Sequence, residues 1–338
     1  MCPQEEMLVT DQQRPVDSAK SAPNPTTLRQ PDSLNGIDDV VSALAARAYI
    51  ADRGLATALY LAIKRQKPLL LEGEPGVGKT EVARVLADIL HTQLIRLQCY
   101  EGIDQATAVY EWNYARQLLA IRLLDNARGG HETAETALAH VRDVFAPEFL
   151  IERPLLQAIS SAPGETPPVL LIDELDRSDA EFEAFLLELL ADYQITIPEI
   201  GTVIASQPPI VVLTSNRTRD IHDALRRRCL YYWIEYPTLE KEYAIVRARV
   251  PEAPEQLARQ VVGFVQALRG EDLFKAPGVA ETLDWLSALL SLGQTELTGT
   301  AARDALGALL KYQDDIQKVT TGDLIDRLIE KADATPIG

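Results

Sequence analysis

Eight consecutive residues, Gly73-Glu74-Pro75-Gly76-Val77-Gly78-Lys79-Thr80, carry the densest chemistry in the chain. Glycines at this spacing let successive backbone N–H groups curl inward around phosphate oxygens, and a helix starting at the loop adds the positive end of its dipole. Lys79 in such a loop reaches the β- and γ-phosphates of a nucleotide, and the Thr80 hydroxyl ligates Mg²⁺. Glu74, Pro75, Gly76, Val77, Gly78, Lys79 and Thr80 are therefore the candidate nucleotide-binding residues. No Asn-Lys-x-Asp guanine motif occurs, Asn216-Arg217-Thr218-Arg219-Asp220 not being one, so ATP is the expected nucleotide and Mg²⁺ its metal.

A phosphate loop alone only binds; hydrolysis needs an acidic element from a neighbouring strand. Val169-Leu170-Leu171-Ile172-Asp173-Glu174 supplies one. Asp173 is the candidate to hold Mg²⁺ through water, and Glu174 the candidate base for the attacking water. An acidic cap on the next helix would explain the same carboxylates, but the loop upstream favours catalysis. Asn216, at the end of Thr214-Ser215-Asn216, can orient that water against the γ-phosphate, with an Asx turn as the plainer alternative. Arg226-Arg227-Arg228 offers a guanidinium to a neighbouring subunit's γ-phosphate, or only a basic helix end facing its own dipole.

These groups need a scaffold of parallel strands. Short apolar runs at 68–71, 169–172 and 210–213 read as buried strands, 93–98 alternates as a further one, and 230–234 makes the fifth. Helical spacing recurs at 37–46, 53–64 and after the loop; beyond Pro237 the pattern is helical only, at 240–250, 255–268, 280–292, 301–312 and 323–332. The expected fold is α/β, a P-loop core with a five-stranded parallel sheet sandwiched by helices over 37–237, followed by an all-α lid over 238–338. Residues 101–150 read as a polar, mainly helical insertion in a crossover, and 193–205 as a β-hairpin. Residues 1–36, rich in Pro, Gln, Ser, Asp and Asn, read as a disordered tail.

With 338 residues, Lys+Arg 33 and Asp+Glu 50, the chain has a net charge of −17, which repels phosphate backbones and anionic membranes and argues against a nucleic-acid partner. Three cysteines and four histidines show no spacing for a disulfide framework or a transition-metal site. Neither a signal sequence nor a bilayer-spanning apolar run is visible, so a reducing cytoplasm is expected.

The order G-E-P-G-V-G-K-T, L-L-I-D-E-L-D-R, L-T-S-N, A-L-R-R-R-C-L and then helices resembles the AAA+ ATPases, over about residues 40 to 335. More narrowly it is similar to the MoxR group, and the stretches 227–237 and 277–285 look like its members associated with carbon monoxide dehydrogenase maturation. The resemblance implies a homo-oligomeric, hexameric ring whose active site is shared between subunits, with Arg228 at the finger position. It also implies chaperone-like remodelling, beside a von Willebrand factor A protein, of a client such as a metalloenzyme. In many relatives an arginine follows the proline of the helical domain's nucleotide-sensing motif; here Gly278 follows Pro277. The alternatives are a nucleic-acid-dependent motor, which the charge opposes, and a nucleotide-gated scaffold with little turnover.

Overall fold

A computed structural model describes residues 34–128, 144–162 and 164–334. The expected tail therefore lies almost wholly outside the described residues, as does the 129–143 part of the expected insertion. In chain order the strands are β1 (Leu69–Gly73), β2 (Leu94–Gln98), β3 (Tyr110–Trp112), β4 (Leu150–Glu152), β5 (Val169–Asp173), β6 (Gln194–Ile197), β7 (Gly201–Ile204), β8 (Ile210–Ser215) and β9 (Leu230–Ile234).

Five of them form one parallel sheet in the order β2-β5-β8-β1-β9. Every residue of β1 and β5 is buried, as continuous apolar runs in a sheet covered on both faces require, while the edge strands β2 and β9 mix buried with exposed positions. Because successive side chains point to opposite faces, Leu69 and Leu71 join Leu171 and Val212 in one core under the helices Ile37–Ala45, Arg53–Arg65 and Lys79–Leu90. Leu70, Leu170, Ile172 and Leu213 face the other side, packing on the helices Pro154–Ile159 and Ala180–Asp192. Asp52 and Asp179 accept the Leu55 and Phe182 amides at 2.8 Å and so fix the starts of two of these helices.

The crossover from β2 to β5 carries the helix Tyr114–Arg128 and the two-stranded antiparallel β3–β4 ribbon, whose strands are too short to show a period in sequence. Although the sequence there reads as polar, Tyr114, Leu118, Leu119 and Leu123 stand exposed on this helix. β6 and β7 form the expected hairpin, closed by Gly201 at φ 109° and by a Thr196–Thr202 hydroxyl bond.

From Leu239 onward the regular elements among the described residues are all helices, around a core of Phe264, Trp285, Leu289, Leu306 and Leu328. The helix expected over 301–312 is broken into Gly299–Asp304 and Leu306–Leu309, and a helix at Gln313–Thr320 follows. The spacing of Ala302, Ala305, Leu306 and Leu309, all buried in the same core, suits one continuous helix, yet the backbone at Ala305 departs from helical geometry at φ −98°, ψ 2°. Trp285 is wholly buried, a core residue. Among the described residues no helix is long and apolar enough to cross a membrane.

Candidate nucleotide site

Because β5, β8 and β1 are parallel neighbours, their carboxyl ends open at one end of the sheet. β1 runs into the phosphate loop, β5 ends on Asp173, and Asn216 follows β8. A crevice at such strand ends is where open α/β sheets bind ligands. Here it is a cavity of about 500 Å³ whose walls include Pro75, Gly76, Val77, Gly78, Lys79 and Thr80. Asp173, Glu174, Thr214 and Asn216 close its polar end. Tyr49, Ile50, Ile245 and Leu283 line another part, from the segment between the first two helices and from the helical region. Glu74 contributes its carbonyl rather than a wall.

Gly78 is the N-cap of the helix Lys79–Leu90 at φ 94°, and Gly76 has φ 78°, backbone that only glycine adopts without strain. Lys79 is 93% shielded, being 7% exposed, and its Nζ donates to the carbonyls of Gly73 (2.9 Å) and Glu74 (2.7 Å). Burial brings its pKa down to about 8, against the pull of Asp176, Glu74, Asp173 and Glu174, which favour the charged form.

Asp173, 2% exposed, gathers most of the polar contacts. Its Oδ1 accepts from Thr80 Oγ1 (3.0 Å) and Thr214 Oγ1 (2.5 Å), and its Oδ2 from Arg96 Nε (3.0 Å) and Nη2 (2.5 Å). Glu174 follows in the left-handed region at φ 54°, a conformation that costs energy for a residue with a Cβ and is typical of functional sites. Its Oε2 accepts from Gln98 Nε2 (3.0 Å) and pairs with Arg177 Nη1 (3.1 Å). Asn216 is held by its backbone, its N–H donating to Asp176 Oδ1 at 3.2 Å; Asp176 Oδ2 also takes the Thr218 amide (2.9 Å) and hydroxyl (2.6 Å). Sequence reasoning missed Arg96 and Gln98, which only the strand order brings there, and gave no site role to Thr214 and Asp176, although both lie inside the motifs that carry Asn216 and Glu174.

The three arginines separate. Arg226 is bound within its own subunit, donating to Glu72 Oε1 at 2.9 Å; Glu72 is 1% exposed and also accepts from Tyr231 OH at 3.0 Å. Arg227 is exposed. Arg228 does not line the nucleotide cavity; it borders a second one of about 670 Å³ with Tyr110, Phe185 and Thr196, where Nη1 donates to the Leu187 carbonyl.

The turn Pro277-Gly278 is pressed onto the phosphate loop. The Ala280 amide donates to the Gly76 carbonyl at 3.1 Å, and Arg269 Nε supports the turn through the Pro277 carbonyl at 2.8 Å. Arg269 in turn is held by both oxygens of buried Glu242, at 2.6 and 2.7 Å.

The strand order, the phosphate loop and the acidic strand end define a protein with the P-loop AAA fold, and residues 68–229 match the model of the AAA domain (dynein-related subfamily). Among individual proteins, an uncharacterized protein of Staphylococcus epidermidis is 23% identical over 233 residues, 67% of this chain and 76% of that protein. Midasin of Giardia intestinalis is 29% identical over 108 residues, covering 27% of this chain and 2% of midasin. Among solved structures, the Thermotoga maritima RuvB Holliday junction branch migration motor aligns at TM-score 0.43 and 18% identity over 85% of this chain and 74% of that one.

Proposed function

We propose that the chain is a Mg²⁺-dependent ATPase of the AAA+ type that works as a ring with active sites shared between subunits. The observation that carries this reading is the convergence of Lys79, Thr80, Asp173, Glu174 and Asn216, from three strand ends, on one cavity.

Lys79 Nζ rests on two carbonyls at the loop, contacts that phosphate oxygens would replace with a stronger, charge-assisted partner. The donor set fits a hard divalent cation: the Thr80 hydroxyl and a buried carboxylate oxygen of Asp173 lie 3.0 Å apart. Bound there, Mg²⁺ would neutralise charge on the β- and γ-phosphate oxygens. Glu174 would take the proton of a water as its oxygen bonds to the γ-phosphorus and the bond to ADP breaks, once its carboxylate leaves Gln98 and Arg177. Asn216, its backbone fixed by Asp176, would hold that water in line.

Arg228 would serve the neighbouring subunit, consistent with its distance from its own cavity and its surface position. The preference over Arg226 gains support from the Glu72 bond that ties Arg226 down. The hairpin β6–β7 and the β3–β4 insertion would transmit force to a client. Following the MoxR resemblance, that client is a partner protein with a von Willebrand factor A domain and, through it, a metalloenzyme in the cytoplasm. A trans-acting arginine makes specific activity depend on assembly. Phosphate release measured across a protein concentration series, with mass recorded in the same samples, should rise with assembly and fall about a thousandfold in Arg228→Ala while ATP remains bound. Activity independent of concentration and untouched by Arg228→Ala would return the reading to a monomeric nucleotide switch.

A further inference from the structure

The turn after Pro277 meets the phosphate loop with backbone alone. A Cβ on Gly278 would stand 2.7 Å from the Pro75 carbonyl oxygen and 2.9 Å from the Gly76 carbonyl carbon, so this position has no room to send a cationic side chain into the cavity. Lys275 is not in the cavity wall, and Arg269 is committed to Glu242 and Pro277. The helical region nevertheless places two cations on that wall, Lys241 and Arg249, both from the helix Leu239–Arg249. Lys241 Nζ pairs with Asp52 Oδ2 at 3.1 Å. Arg249 Nη2 pairs with Glu81 Oε1 at 2.5 Å.

Glu81 directly follows Thr80, in the first turn of the helix whose N–H groups face the phosphates. Arg249 thus stands beside the polyphosphate position, held by a carboxylate that Arg84 also engages at 2.6 Å. A triphosphate entering the loop offers Arg249 a more concentrated negative charge, and Glu81 keeps Arg84 when Arg249 leaves. A guanidinium presents five donors in a planar fork suited to phosphate.

We propose that Arg249 is the nucleotide-contacting cation of the helical region, exchanging Glu81 for phosphate oxygens when a nucleoside triphosphate binds, in place of a residue at position 278. This rests on the nucleotide site proposed above. The exchange would draw the helix Leu239–Arg249 toward the loop when the site is filled and return it to Glu81 when the site empties.

Two neutralising substitutions cut the same ion pair but remove opposite charges, so they separate nucleotide contact from mere docking of the helix. MgATP binding to the full chain, measured by calorimetry, should weaken about ten- to a hundredfold in Arg249→Gln. Glu81→Gln should bind no more weakly than the unaltered chain, because it frees Arg249. Unchanged affinity in Arg249→Gln, or equal weakening in both variants, would overturn the assignment while leaving the nucleotide site standing. Failure of the unaltered chain to bind MgATP would overturn the site and the assignment with it.

Discussion

Lys79 is the residue whose protonation the fold controls most directly. Its folded pKa of about 8 lies below the ordinary 10.5, so below pH 8 both folded and unfolded chains carry the proton, and between about 8 and 10.5 mainly the unfolded chain does. The unliganded protein should therefore gain stability as pH rises through that window. A bound phosphate reverses the preference and pulls the proton back on. Calorimetric titrations in buffers of different ionisation enthalpy should show proton uptake on ATP binding growing from about a tenth of a proton at pH 7 to most of one at pH 9. At this scale the loop, Asp173, Glu174 and Asn216 were legible because each belongs to a contiguous motif. Arg96 and Gln98 were not, since they meet Asp173 and Glu174 only through the register of β2 and β5. Arg249 was hidden for the same reason, lying 168 residues from its partner Glu81.

Between elements, two further contacts anchor the phosphate loop, beside the Thr80–Asp173 bond. Glu72, the residue before the loop, is buried beneath Arg226 and Tyr231 and so joins β1 to the helix Asp223–Arg228 and to β9. Arg226→Ala leaves that carboxylate short of its cation and should cost about 1–3 kcal/mol in denaturant unfolding, the arginine being partly exposed. Adding Glu72→Gln should recover part of the loss, a coupling that a double-mutant cycle reads directly. The second contact is the Pro277-Gly278 turn. Gly278→Ala, with a Cβ 2.7 Å from a backbone oxygen, should destabilise by about 1–3 kcal/mol, whereas Gly307→Ala, with open space around its Cβ, should be neutral or stabilising. Thermal unfolding of both variants side by side checks this. The central strands, the hairpin and most helices could be read from periodicity, because buried parallel strands and amphipathic helices carry strong patterns. The β3–β4 ribbon could not, its strands spanning three residues each, and the break at Ala305 falls where the helical spacing of buried residues runs on without interruption.

For the whole molecule, the balance of charge says how a ligand arrives. Glu81, Glu174 and Glu235 stand in its wall, beyond the buried Asp173, on a chain of net charge −17. Lys79, Lys241 and Arg249 in the same wall offset most of that charge locally, so the repulsion an approaching tetra-anion meets is that of the whole chain, felt over roughly a Debye length, about 10 Å at 0.1 M salt. The electrostatic steering that speeds many anion-binding sites is here a brake. Association rates for free ATP, measured by stopped flow, should therefore increase as ionic strength rises from about 10 to 200 mM, and a rate that falls with salt would show a local positive funnel instead. Pre-complexing the nucleotide with Mg²⁺ halves its charge and should flatten that dependence, so that the charge of the chain as a whole selects the metal-loaded form at the encounter, before any contact with the loop is made.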